Sequence, residues 1–414
     1  MMERFSCGMA SSAAGVGAPG KRMGRDRLEI FAGIRKQNLN VSSNFGFTCR
    51  LLQKHCDNAQ TNQRAAWDLV DLLKCLNAKE KLLLAKYFCQ LPLSVGSFRV
   101  LGQLQQLRIL TATEYICSIE NEEQLQVILI EFLQNENKLL SNLFISAHYD
   151  SLNMLRLNNI LENALRNLFS ALAENPKIGN LNYVEHLCKS LPDDVLVNVC
   201  MQMHLNILLE LHEAADVSLA FQHFSAWINE GVDELIFVKH ITGKLLGSHQ
   251  QEALSHLFKL STSTMFKHWK FYIILLQSIA SSGNADTITF IKKYLKNRLQ
   301  HVASLGCQLS LLHLLLTARA AAATTMNIQQ NLDNYAQWYK QNIGEMTYVL
   351  SSEQFQVVLN ILEDSIHYEQ EIDYVEIHAA IAISPGGKLV QSYKTKCKAH
   401  LARLKAANKQ KNVK

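Results

Sequence analysis

Proline and glycine are scarce in this chain, and their scarcity limits the folds open to it more than any other feature does. Its 414 residues include 5 prolines and 18 glycines. A β-sandwich or β-barrel of this length needs many more turn-forming residues, because each of its short strands must end in a tight turn. Few such residues, together with abundant Leu, Ala, Gln and Asn, are typical of helices joined by short polar turns.

Apolar residues recur at α-helical spacing through most of the chain. Leu69, Leu72, Leu73 and Leu76 follow i, i+3, i+4, i+7 spacing and therefore lie on one face of a helix. Further stripes of this kind begin at residues 125, 161, 288 and 355, without a tetratricopeptide or ankyrin signature. We therefore predict an all-α fold of about 17–20 helices, arranged as an α-solenoid (degenerate HEAT- or armadillo-like) or as an irregular multi-helix array.

Two segments in the second half are more apolar than an amphipathic helix requires. Phe271–Leu276 and Leu309–Leu316 contain almost no polar residue, which predicts central helices packed between neighbours. Four consecutive alanines, Ala320–Ala323, indicate either a close helix–helix contact or the fraying end of a helix.

Composition divides the chain into three predicted segments. Residues 1–27 are rich in Gly, Ala and Ser and are predicted to be a disordered leader. A mitochondrial targeting signal is the alternative, which the glycines and Pro19 disfavour because such a signal forms an amphipathic helix. Residues 28–384 are the predicted helical-repeat body, with a candidate seam near 176–192 that two prolines bound. Residues 385–414 are predicted to form a basic C-terminal helix and tail.

The ten cysteines indicate a reducing compartment. None of them is spaced C-x-x-C, and most lie in apolar helical stretches, where a free thiol behaves as a small hydrophobic group. We find no secretory signal and no run of about 18 uncharged apolar residues. The sequence therefore predicts no contact with a membrane and a place in the nucleus or the cytoplasm.

Basic residues concentrate at the C-terminal end. From Lys388 to Lys414 there are nine of them and no Asp or Glu. Since the whole chain has a net charge of +5, residues 1–387 together have a net charge of −4. Such an arm can contact phosphates or an acidic protein through charge, and a solvated helix face is the simpler interpretation. It also favours the nucleus over the cytoplasm. The predicted contact residues are Lys388, Lys394, Lys396, Lys398, Arg403 and Lys405.

One motif approximates a phosphate-binding loop. Residues 15–21 have the spacing of its glycines and lysine. However, Arg22 stands where a Ser or Thr would hold magnesium, and the residues before the motif do not form a strand pattern. We therefore predict no nucleotide site and no cofactor.

Histidine and cysteine neighbours do not have the spacing of a zinc site or a catalytic site. His186 and Cys188 point to different faces of a helix. Cys397 and His400 can share a face, but no second pair completes four zinc ligands. His212 lies among carboxylates without a nucleophile motif. The sequence predicts no metal, no catalytic residue and no enzymatic activity.

These observations favour a non-catalytic helical scaffold or adaptor subunit of a multiprotein complex. Stacked helices offer long surfaces for other proteins, so other subunits are the predicted partners. The alternative hypothesis is a nucleic-acid-binding helical-repeat protein that uses the basic C-terminal arm. We expect it to act in genome maintenance, such as DNA repair, or in RNA processing. This expectation comes from helical-repeat proteins in general and not from particular residues.

Overall fold

A computed structural model of the protein describes residues 43–57, 63–92, 94–135, 137–150, 152–174, 182–230, 232–247, 249–263 and 265–411. These residues contain 21 α-helices and no strand, which confirms the predicted all-α multi-helix array. In the same ranges, no helix is both long enough and apolar enough to cross a membrane. The predicted leader, the motif at 15–21 and residues 176–181 of the candidate seam lie outside the described residues.

The helices follow one another with short connections. The first eight are α1 Ser43–Asp57, α2 Gln63–Lys74, α3 Ala78–Phe88, α4 Val95–Gln106, α5 Ala112–Ser118, α6 Glu122–Asn135, α7 Asn137–Tyr149 and α8 Met154–Glu174. The next seven are α9 Asn182–Ser190, α10 Asp194–Leu209, α11 Val217–Gln222, α12 Phe224–Glu230, α13 Val232–Leu246, α14 Gln250–Ser261 and α15 Trp269–Ser282. The last six are α16 Ala285–Leu305, α17 Gln308–Ala322, α18 Ile328–Tyr339, α19 Ser352–Ser365, α20 Ile372–Ala380 and α21 Lys388–Lys411.

The chain divides into two compact units. One comprises the described residues up to Leu125 together with Ser146–Leu155, and the other comprises Gln126–Ile145 together with the chain from Arg156 onward. In the first unit, α1 packs against α2, α3 and α4. Helix α4 approaches α1 so closely at Gly96 that a Cβ there would overlap the backbone carbonyl oxygen of Cys56.

Helices α15 and α17 are the centre of the second unit. They pack against each other, α13 packs on α15, and α11, α16, α18 and α19 pack on α17. Every residue of α15 from Trp269 to Ala280 is buried, as is every residue of α17 from Leu311 to Ala320. This confirms the prediction of central helices, except that Leu309 in the first turn of α17 is exposed.

Polar residues begin many of these helices. The side-chain oxygens of Asp193, Asp216, Asn284, Asn327 and Ser351 each accept a hydrogen bond from a backbone N–H in the first turn of the following helix. Such caps satisfy donors that have no partner within the helix. They fix where each helix starts, and so determine which residues face the neighbouring helices.

Helix α18 does not end in a regular turn. It continues into a π-helical turn, Lys340–Gly344, and a short 3₁₀ segment, Met346–Tyr348. A Cβ on Gly344 would lie 2.9 Å from the backbone oxygen of Ala382, and Ser384 N donates to Gly344 O over 2.9 Å. Glycine therefore permits this turn to pack directly against the connection between α20 and α21.

Candidate partner-binding surfaces

A groove of about 500 Å³ lies among α15, α16, α17, α18 and the π-helical turn of the second unit. Its floor is formed by small residues of α17, Ala318, Ala321 and Ala322. Alanine side chains end at Cβ, so the floor leaves space between the flanking helices. This volume is within the usual range of ligand pockets in proteins.

The two walls of the groove have different chemistry. The α16 wall presents Ile288, Ile291 and Leu295, which follow the i, i+3, i+7 spacing of one helix face. Ile288 is 40% exposed although the rest of this stripe is buried. On the opposite wall, the half-buried ring of Trp338 is flanked by side-chain amides. These amides belong to Asn334, Gln337, Gln341 and Asn342.

The rim of the groove is basic. Lys292 and Lys296 lie one turn apart on α16, and both are exposed. In the part of the chain that the structure describes, neither lysine forms an ion pair, and no Asp or Glu lines the groove. The groove therefore combines exposed apolar surface with positive charge that lacks a counter-charge.

A buried ion pair lies on another side of α17. Arg319 pairs with Glu369, and its guanidinium lies 4.0 Å from the ring centroid of Phe221 and 3.8 Å from that of Tyr374. Burial raises the pKa of Glu369 to about 6, while the charge of Arg319 opposes that shift. Burial alone would lower the pKa of Arg319, but the charges of Glu369 and its other neighbours raise this pKa above its ordinary value, so the guanidinium stays protonated. The pair is therefore ionised at neutral pH.

Hydrogen bonds extend this cluster to the neighbouring helices. Tyr335 Oη and His378 Nε2 are 2.9 Å apart, Tyr339 Oη and Tyr393 Oη are 2.7 Å apart, and His400 Nε2 lies 2.5 Å from Glu369 O. Burial lowers the pKa of His378 well below its usual value, so this ring is neutral. The buried polar groups therefore connect α18, α20 and α21 to the centre of the unit.

The structure separates the six predicted contact residues of the C-terminal arm into two groups. Lys394 is partly buried and donates to the backbone oxygens of His378, over 2.6 Å, and of Ile381. Lys396 pairs with Glu363, and Lys405 pairs with Glu376 over 2.5 Å. The remaining three are exposed and, among the residues described, take part in no ion pair: Lys388, Lys398 and Arg403.

The arm is docked by its apolar side. Val390, Tyr393, Cys397 and His400 of α21 are buried, and the helix packs against α19 and α20. Cys397 and His400 share a helix face, as their spacing allows. Throughout the described ranges, no three or more His, Cys, Asp or Glu side chains are grouped in a way that could hold a metal ion.

The groove was missed by sequence reasoning, although two of its parts left a signal. The stripe at Ile288, Ile291 and Leu295 predicted a buried face, and the alanines at 320–323 indicated either a close helix–helix contact or the fraying end of a helix. The spacing within a helix does not show whether a neighbour covers that face. The exposed position of Ile288 depends on where α18 lies, which only the packed structure reveals.

Comparison with known proteins gives one family match. The model of the family described as the Fanconi anaemia group A protein N terminus matches residues 48–407. No curated protein matches the chain. A solved structure described as the crystal structure of an engineered protein has 15% sequence identity and a TM-score of 0.24, over 88% of this chain and 99% of its own. A TM-score of this size does not establish a shared fold.

Proposed function

Since this chain belongs to the family of the Fanconi anaemia group A protein N terminus, we propose that it acts in genome maintenance as a non-catalytic scaffold subunit of a nuclear protein complex. The match extends over most of the chain, from α1 to α21. The family name refers to the Fanconi anaemia pathway, which supports a setting in DNA repair.

The groove between α16 and α18 is the observation that carries the scaffold role. A contiguous exposed apolar patch, especially one rimmed by polar residues, commonly marks a site of protein contact. Here Ile288 and Trp338 lie at such a surface, beside lysines that lack counter-charges. By contrast, the buried Arg319–Glu369 cluster joins helices, which supports a structural and non-catalytic use of its titratable groups.

Native complex size tests this function. The full chain, tagged and expressed at its normal level, is purified from nuclear extract with and without nuclease, and its mass and composition are measured. The proposal expects a nuclease-resistant assembly with other proteins at constant stoichiometry. A chain that elutes alone in both samples contradicts the scaffold role.

A second candidate function is nucleic-acid contact through α21. Of the six predicted contact residues, Lys388, Lys398 and Arg403 remain exposed and unpaired in the described structure, and the helix contains no acidic residue. Charge-mediated contact with phosphates would weaken steeply as salt rises. Substitution of both Lys398 and Arg403 by Glu tests this role and leaves the contacts of Lys394, Lys396 and Lys405 in place. Binding to a single-stranded or duplex oligonucleotide that is unchanged by this reversal rules the role out.

A further inference from the structure

We propose that the groove between α16 and α18 binds an acidic amphipathic α-helix supplied by a partner subunit. This inference rests on the proposed scaffold function and specifies the chemistry of the partner. It names an occupant for a surface where apolar exposure and unpaired positive charge coincide.

The length of the groove fits a short helix. Its α16 wall extends from Ile288 to Lys296, and its α18 wall extends from Asn334 to Asn342 through the π-helical turn. Each wall therefore spans nine residues, or about 12 Å at 1.5 Å per residue. Two to three turns of a partner helix cover that length.

The apolar part of the surface fits the inward face of such a helix. Ile288 and Trp338 flank the alanine floor of α17, which has no side chain long enough to fill the space. Helix-in-groove recognition places residues spaced i, i+3 or i+4, and i+7 into a cleft of this kind. Leu, Met or Phe at these positions would cover Ile288 and stack on Trp338.

The charge of the surface selects an acidic partner. Lys292 and Lys296 share one side of α16, and the lining residues include no carboxylate. Apart from Asp286, the charged residues of α16 are all basic. Glu or Asp along the flank of a partner helix would supply the missing counter-charges and raise the association rate.

Charge also disfavours the two ends of this sequence as occupants of the groove. Residues 1–42 contain seven Lys or Arg against three Asp or Glu, and residues 388–414 contain nine basic residues and no acidic one. Either segment would bring further positive charge beside Lys292 and Lys296. Neither segment supplies the acidic helix, and the proposal assigns it to a partner subunit.

Site-directed photo-crosslinking in the assembled complex tests the proposal. A photoreactive amino acid replaces Gln337, which lines the groove and is exposed. The complex is irradiated, and the crosslinked peptides are sequenced by mass spectrometry. The expected product is one partner segment with apolar residues at helical spacing and an excess of Asp and Glu.

A synthetic peptide of the crosslinked segment then measures the role of charge. Lys292→Glu with Lys296→Glu should weaken its binding by about tenfold or more, since attraction becomes repulsion. Lys293→Glu is the matched control, because Lys293 is an exposed neighbour on α16 that does not line the groove. Ile288→Glu tests the apolar wall separately. Unchanged circular dichroism of each variant shows that it folds.

The outcomes separate this proposal from the scaffold function. An intact complex that crosslinks to a basic segment, to nucleic acid, to a second copy of the chain or to nothing at Gln337 overturns the acidic helix and leaves the scaffold role standing. Equal weakening by Lys293→Glu also overturns it, because the charge effect would then be non-specific. Absence of any complex overturns the scaffold function itself.

Discussion

Arg319 and Glu369 form an ion pair in the interior of the second unit, where the side chains are 0% and 3% exposed. They lie 50 residues apart in the chain and join α17 to the segment before α20. Aromatic rings cover the guanidinium, and His400 contacts the backbone of Glu369. The pair therefore ties α17 to the connection between α19 and α20, the two helices on which α21 docks.

Removal of either charge should destabilise the protein strongly. Arg319→Met leaves a carboxylate buried without its counter-charge, and Glu369→Gln leaves a buried guanidinium, so each should cost about 3–5 kcal/mol of unfolding free energy. The double variant should cost less than the sum of the two, since it buries no unpaired charge. Urea unfolding of the four proteins measures this coupling. Strictly additive losses would show that the two residues do not act as a pair.

Gly96 should tolerate no side chain, whereas Gly102 on the same helix should. Gly96→Ala places a Cβ against the carbonyl oxygens of His55 and Cys56, and such overpacking typically costs about 1–3 kcal/mol. At Gly102 nothing lies within 4 Å of the added Cβ, so Gly102→Ala should stabilise α4 by up to about 1 kcal/mol through helix propensity. Thermal unfolding compares the two variants. Equal midpoints would contradict the close approach of α1 and α4.

Lys394 and Lys398 should differ although both belong to the basic arm. Lys394→Met removes hydrogen bonds to two backbone oxygens at the end of α20, which should cost about 1–3 kcal/mol. Lys398→Met removes an exposed side chain with no such bond and should leave stability nearly unchanged. Denaturant unfolding midpoints of the two variants measure this difference in stability. A similar effect from both variants would mean that Lys394 is not a structural residue.

His204 should make stability depend on pH below neutrality. Burial lowers its pKa to about 4, while its nitrogens lie 2.7 Å from Cys200 O and 3.1 Å from Tyr183 Oη. Histidine in the unfolded chain has a pKa near 6.5. Between about pH 6.5 and 4, the unfolded chain therefore binds a proton at this position that the folded chain does not bind. The unfolding free energy should therefore fall between about pH 6.5 and 4, by up to about 3 kcal/mol from this residue.

His204→Gln checks the assignment, because it removes the titrating ring and keeps a polar side chain. Its unfolding free energy should change less with pH across this window, whatever its value at pH 7. His186→Gln is the control, since it removes an exposed histidine from the preceding helix α9. An unaltered pH slope in the His204 variant would show that this ring does not contribute to the pH dependence of stability.

The sequence predicted the helices well because their signals are local. The apolar runs at Phe271–Leu276 and from Leu311 onward lie at the centre of the second unit. Their signal is a periodicity among residues a few positions apart, which the sequence shows directly. The partner of Lys394 could not be predicted, because its acceptors lie at the end of another helix. The groove could not be predicted either, because its space results from four helices and the π-helical turn packed together.

Hydrogen–deuterium exchange on the native complex tests the central claim most directly. Exchange is compared between the free chain and the chain in its assembly, peptide by peptide. The account predicts slower exchange on assembly in residues 288–296 and 334–342, because a partner helix then covers both walls of the groove. Unchanged exchange in both segments, with protection confined to other parts of the chain, would contradict it.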